Sequence, residues 1–160
     1  MSSIETNTIT MELKSGPVVI ELRPDLAPKH VERVKSLSER RFYDGVPFHR
    51  VIPGFMAQTG DPTGTGSGGS DLPDLKAEFS GEKHVRGTVS MARTANPNSA
   101  NSQFFICFGD ASWLDRQYTV WGKVVSGMEH IDAIKKGGEQ NNGAISGEPD
   151  RIVKMRVSQG

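Results

Sequence analysis

The chain has 160 residues, 35% of them hydrophobic and 18 of them glycine, which fits one globular domain with a real core and excludes fibrous or disordered classes. Lys plus Arg and Asp plus Glu both number 19, so the formal net charge is zero and no bulk pull toward nucleic acid or membrane is expected. The lone cysteine, Cys107, excludes an intramolecular disulfide, and no apolar run is long enough to span a bilayer. Residues 1–10 carry no basic stretch followed by an apolar core, and the expected location is cytoplasmic.

Taken in chain order, Thr8–Leu13 and Pro17–Leu22 are rich in β-formers and flank Lys14-Ser15-Gly16, which reads as a hairpin with a three-residue loop. A helix is predicted over Pro28–Arg40, with proline in the first turn and Val31, Val34 and Leu37 as its apolar stripe. Short strands follow at Phe48–Ile52, Met56–Thr59, Thr88–Ala92, Phe104–Phe108, Thr119–Val124 and Arg151–Val157. A second helix is predicted over Met128–Lys135, closed by Gly137-Gly138 in left-handed geometry. About eight short strands and two helices suggest a mainly β fold: a closed eight-stranded antiparallel barrel, which has no exposed edges, capped by two α-helices. Residues 1–160 read as one domain. Two stretches, Thr59–Asp74 and Arg93–Ser102, are rich in glycine, proline and small polar residues and read as long loops, the kind that carries function.

Several chemistries are disfavoured. His30, His49, His84 and His130 are scattered, and no metal-ligand spacing is present. Cys107 lies within an apolar strand, which fits an inert thiol better than a nucleophile. Gly64-Thr65-Gly66-Ser67-Gly68-Gly69 matches G-x-G-x-x-G, but Ser70-Asp71-Leu72-Pro73-Asp74 follows it, a poor start for a phosphate-binding helix. The glycines read better as a backbone that must bend tightly.

The densest signal is Phe48-His49-Arg50-Val51-Ile52-Pro53-Gly54-Phe55-Met56-Ala57-Gln58-Thr59-Gly60-Asp61. Ser102-Gln103-Phe104-Phe105-Ile106 and Trp113-Leu114-Asp115-Arg116-Gln117-Tyr118 are the second and third. If Phe48–Ile52 alternates as a strand, Phe48, Arg50 and Ile52 share a face, and a charge then stands among apolar neighbours. By periodicity alone, Phe55, Met56, Phe105 and Leu114 read as core. Of the adjacent pair Phe104-Phe105, one should face the core and the other the opposite side.

In order and spacing, these segments resemble the cyclophilin family of peptidyl-prolyl cis–trans isomerases over nearly the whole chain. The resemblance implies an enzyme that accelerates rotation about X–Pro bonds in unfolded or flexible proteins and so assists folding, without cofactor, metal or nucleic acid. It implies Arg50 as the catalytic arginine and Gln58 as its brace; an ordinary surface role is the plainer reading of each. It places Phe55, Met56, Phe105 and Leu114 in the pocket for the proline ring. Gly66, Thr94, Ala95 and Gln103 fall in the groove for the residues before it. Trp113 matches an indole that donates to peptide or to cyclosporin-type inhibitors. Tyr118 stands at the rim, where eukaryotic relatives often carry histidine, which bears on cyclosporin affinity. Met91–Pro97 is one residue longer and the glycine-rich loop one shorter than in the common eukaryotic form; Tyr118 and Arg93-Thr94-Ala95 look more like the bacterial pattern. A monomer is expected. The alternative is a proline-peptide binding module or chaperone without turnover. Against it, a pure binder has no need of the arginine fork.

Overall fold

A computed structural model describes residues 8–138 and 142–157. Strands β1 (Thr8–Leu13) and β2 (Gly16–Leu22) form the first hairpin. Leu13 pairs with Gly16, so the loop holds two residues where three were expected. Helix α1 (Pro28–Glu39) starts on its proline and buries Val31, Val34 and Leu37. No side chain at its own N-terminus caps it. Glu78, distant in sequence, does so instead: its carboxylate accepts from the backbone N–H of His30 at 2.9 Å and of Lys29 at 3.1 Å, and lies 2.6 Å from His30 Nδ1. Those donors would otherwise lack partners at a helix start.

Strands β3 (Arg50–Ile52), β4 (Met56–Thr59), β5 (Thr88–Met91), β6 (Phe104–Cys107), β7 (Val120–Ser126) and β8 (Lys154–Val157) complete one antiparallel sheet in the order β3-β4-β6-β5-β7-β2-β1-β8. The expected barrel is not closed. β3 and β8 end the order without pairing as strands, although the chain ahead of each is joined by the Pro47–Arg151 bridge, with Phe48 N–H donating to Asp150 O at 2.8 Å, Ile152 N–H to Val46 O at 2.9 Å and Gly45 N–H to Ile152 O at 2.7 Å. That pairing does not continue into β3, which is three residues long. Its outer edge is taken by Gly137 and Gly143: Val51 N–H donates to Gly143 O at 2.8 Å and Gly137 N–H to Val51 O at 2.8 Å. Phe48 precedes the strand and is fully buried in the main core, so it does not share a face with Arg50.

Helix α2 (Met128–Asp132) is shorter than the predicted Met128–Lys135. Gly137 is not left-handed; it is glycine because its α-carbon packs against the Gly143 carbonyl, where a side chain has no room. No helix among the described residues is long and apolar enough to cross a membrane.

The apolar residues fall into two clusters. The main one includes Ile9, Val34, Tyr43, Phe48, Ala57, Phe104, Ile106 and Trp121. Met56, Phe105, Cys107, Ala111 and Leu114 form the smaller one, with Ile52, Phe55 and Tyr118 packed against it. The alternation along β6 is the period of two expected for a strand, which sends Phe104 and Ile106 to one face and Phe105 and Cys107 to the other. The sheet is therefore buried on both faces here, and the smaller cluster is the floor of a surface cavity.

Candidate active site

Two neighbouring cavities share Gln58, Ala92 and Arg93 in their walls. The smaller, about 170 Å³, is lined by Arg50, Phe55, Met56, Gln58, Phe105, Leu114 and Tyr118 among others. That is below the roughly 300–1,000 Å³ of drug-sized ligand sites and suits a single side chain. The larger, about 540 Å³, runs between the two long loops and is lined by Gly66, Ser67, Gly68, Arg93, Thr94, Ser99 and Gln103 among others.

Apolar walls of the small cavity come from elements that must pack anyway. Phe105 is 5% exposed and meets Tyr118 edge-on at 5.6 Å between ring centroids. Leu114 sits in a 3₁₀ turn, Ser112–Leu114. Trp113 is 65% exposed beside Phe55, with centroids 5.4 Å apart, and stands outside the cavity lining. Thr94 lines the large cavity, whereas Ala95 is exposed and lines neither. Of the twelve residues singled out in the sequence, then, all but Trp113 and Ala95 face one cavity or the other.

Arg50 is the one charge at the junction of β3 and the small cavity that its own strand supplies. Its Nε–H donates to Asn142 O at 2.9 Å, Nη1 to Gln58 Oε1 at 3.0 Å and Nη2 to Asn142 Oδ1 at 3.0 Å. A guanidinium has five N–H donors. Three are fixed by the protein, leaving one on each terminal nitrogen for something in the cavity. Partial burial pulls Arg50 below its ordinary value, and the Tyr118 phenol opposes this; the group remains cationic.

The guanidinium has no acceptor, and this orients every amide behind it. Gln58 must offer Oε1 to Arg50, so its Nε2 donates to Gln103 Oε1 at 3.0 Å. Gln103 then donates through Nε2 to the carbonyls of Gly66 and Gly68, both at 2.9 Å. The same two glycines give their N–H groups to Asp61, at 2.7 and 3.0 Å. Asp61 is fully buried and also accepts from the backbone N–H of Thr63 and Thr65 at 2.8 and 3.1 Å, and from the Thr63 hydroxyl at 2.7 Å. Burial works against its ionisation, but the Thr63 hydroxyl and the N–H groups of Gly68, Thr63 and Gly66 together hold the carboxyl down at about 2. The G-x-G-x-x-G loop thus wraps a carboxylate of its own chain. Gly60, at φ +101°, lets the backbone pass against the Ser102 carbonyl, where a side chain would collide.

Asn142, His84 and Asp61 escaped sequence reasoning as site residues. Asn142 is 92 positions from Arg50, and its only sequence signal is an asparagine beside Gly143, which suits its left-handed φ of +56°. Asn142→Gly removes the side-chain acceptor while keeping the carbonyl and the backbone geometry. It should lower kcat/KM at this cavity about threefold to tenfold, the worth of one charge-assisted hydrogen bond, with little change in melting temperature. Loss of less than twofold would show that the carbonyl alone positions Arg50.

His84 lies behind the cavity floor, 1% exposed, stacked on Phe105 at 6.2 Å. Its Nδ1 is 3.1 Å from Asp115 Oδ1 and its Nε2 is 3.0 Å from Ser90 Oγ. The order Ser–His–Asp resembles a hydrolytic relay, but Ser90 is fully buried and no substrate reaches it. Burial holds His84 below its ordinary value against the pull of Asp115, so it serves as a neutral prop joining the floor to the Leu114 wall. Cys107 is buried, its thiol pushed up to about 12, chiefly by burial, which suits an inert group. Among the described residues, no group of three or more His, Cys, Asp or Glu is placed to hold a metal ion.

Residues 8–157 match the family model described as cyclophilin type peptidyl-prolyl cis-trans isomerase/CLD. A probable peptidyl-prolyl cis-trans isomerase of Brucella suis biovar 1 is 58% identical over 162 residues, covering 94% of this chain and 82% of that relative. Peptidyl-prolyl cis-trans isomerase-like 3 of Homo sapiens is 43% identical, covering 81% of this chain and 82% of that relative. Among solved structures, a Cryptosporidium parvum cyclophilin type peptidyl-prolyl cis-trans isomerase, crystallised in the presence of the dipeptide Ala-Pro, aligns with a TM-score of 0.86. It is 28% identical, and the alignment covers 96% of this chain and 99% of that one. A cyclophilin from Hirschia baltica aligns with a TM-score of 0.84 at 28% identity, covering 96% of this chain and 74% of that one.

Proposed function

This chain belongs to the cyclophilin-type peptidyl-prolyl cis–trans isomerases, and from that premise we propose that Arg50 is its catalytic group and the 170 Å³ cavity its proline site. The chain is a peptidyl-prolyl cis–trans isomerase that acts on proline-containing peptides. The observation that carries the site assignment is the braced guanidinium, with two N–H groups left over, in the wall of a cavity of side-chain size whose other walls include Phe55, Met56, Phe105 and Leu114.

Rotation about a peptide bond meets a barrier of roughly 18–20 kcal/mol, set by the double-bond character of C–N. In the twisted state that character is lost: the prolyl nitrogen turns pyramidal and gains a lone pair. No bond is broken, so the site's task is to hold the ring, hold one end of the chain and stabilise that state. Phe55, Met56, Phe105, Leu114 and Tyr118 grip the ring. A free N–H of Arg50 donates to the new lone pair or to the prolyl carbonyl, and the donor is prepaid in orientation by Gln58 and Asn142. Gly66, Thr94 and Gln103, around the larger cavity, receive the residues before the proline, with Ala95 beside them. Trp113, exposed next to Phe55, offers its indole to a longer peptide or a cyclosporin-type ring, for which Tyr118 sets the rim. The protein works as a monomeric single domain in the cytoplasm on unfolded or flexible chains.

Exchange spectroscopy on a short Ala-Pro peptide tests the assignment. Isomer interconversion should accelerate at catalytic protein concentration, with the largest shifts at the methyl and ring signals of Met56, Phe105 and Leu114. Binding with no faster exchange would replace catalysis by a binding module.

A further inference from the structure

Among the described residues, the two arginines that border the proline cavity, Arg50 and Arg93, have no carboxylate partner. Elsewhere Arg23, Arg40, Arg86, Arg151 and Arg156 each meet an aspartate or glutamate, while Arg33 donates only to the carbonyls of Asn101 and Pro73. No acidic residue among the described ones lines the proline cavity. Arg93 stands in the wall shared with the larger cavity and is held there firmly. Its Nε and Nη2 donate to Gln117 O at 3.1 and 2.6 Å, Nη1 donates to Thr94 O at 2.9 Å, and its guanidinium carbon lies 4.5 Å over the Tyr118 ring. These contacts are to neutral groups, so its charge is not cancelled, and two N–H groups are left over. Among the described residues one acid, Asp74, lines the larger cavity; it accepts from the neutral Asn101 amide at 3.0 Å and keeps its charge, which also acts on Arg33. A peptide whose proline fills the small cavity and whose chain enters the larger one passes Arg93.

We propose that Arg93 is a specificity-determining residue of this isomerase, favouring substrates with an acidic side chain one or two residues before the proline. The proposal rests on the isomerase reading and on the proline occupying the smaller cavity. A partly exposed carboxylate beside an uncompensated, pre-positioned guanidinium gains a charge-assisted hydrogen bond, and the Arg50 charge adds to the same field. A lysine in that place is repelled by both.

The test compares kcat/KM for six peptides with Glu, Gln or Lys at the residue before proline or at the one before that. At low salt, glutamate should exceed glutamine about fivefold at one of the two positions, and lysine should fall below glutamine. In 1 M NaCl, where screening reaches about 3 Å, the ratio should shrink toward one. Arg93→Gln should abolish the glutamate preference and Arg93→Lys should retain part of it; because the readout is a ratio, a general loss of activity does not mimic the result. Equal rates for all peptides, or a preference unchanged in Arg93→Gln, would overturn this inference alone. No acceleration of any peptide would overturn the isomerase reading with it.

Discussion

Replacing Arg50 with alanine should lower kcat/KM on a prolyl peptide by about a hundredfold or more while leaving the protein folded. The size follows from removing a pre-positioned donor aimed at a transition state, which costs roughly 2.7–4 kcal/mol or a factor of 10²–10³. Stability should change little, because Arg50 is only half-buried and water can reach the acceptors it leaves on Gln58 and Asn142. Arg50→Lys separates charge from geometry. An ammonium keeps the charge but cannot donate to Asn142 and Gln58 and still present a fixed pair of N–H groups. It should recover only a small part of the lost rate. Near-normal turnover in a well-folded Arg50→Ala protein, checked by circular dichroism and a melting curve, would remove Arg50 from the mechanism and leave the apolar grip as the source of catalysis.

Asp61→Asn should be the most damaging substitution in the glycine-rich loop, costing about 2 kcal/mol or more at neutral pH. The buried carboxylate accepts from four backbone N–H groups and the threonine hydroxyls. An asparagine turns one acceptor into an N–H₂ group facing those donors. The effect has a pH signature. The folded-state value of about 2 lies below the unfolded value of about 3.9, so the stabilisation is complete above the latter, declines as pH falls through this range and is gone below about 2. Urea denaturation of both proteins should therefore show a large gap at pH 7 that narrows toward pH 2.5. A gap that stays constant over that interval would mean that Asp61 acts through packing and not through its charge. Activity should fall as well, by less than in Arg50→Ala, since the loop carbonyls that fix Gln103 reach Arg50 only through Gln58.

The two substitutions probe one continuous hydrogen-bonded line, from Asp61 through Gly66 and Gly68, Gln103 and Gln58 to Arg50. Each amide along it has one orientation compatible with its neighbour, because the carboxylate at one end only accepts and the guanidinium at the other only donates. Polar groups with a single self-consistent arrangement hold geometry better than isolated pairs. The arrangement keeps a long side chain from wandering in a site whose chemistry is orientation.

The local signals in the sequence carried the strands, α1 and the residues around Arg50. Alternation over Phe104–Cys107, the Val31-Val34-Leu37 stripe and the proline at the start of α1 are short-range properties that the fold keeps. Resemblance added what periodicity could not, the division of Phe104 from Phe105 and of core from pocket, since a half-buried pocket wall and a core wall have the same composition. The tertiary structure alone decided three things. It left the barrel open, because β3 is short and its outer edge bonds to Gly137 and Gly143 and not to β8. It brought Asn142 to Arg50 across 92 positions, a contact with no periodic trace in the chain. It brought Arg93 and Arg50 to one cavity with no carboxylate partner among the described residues, a fact hidden within a net charge of zero, because a sum over the sequence does not record which charges find partners.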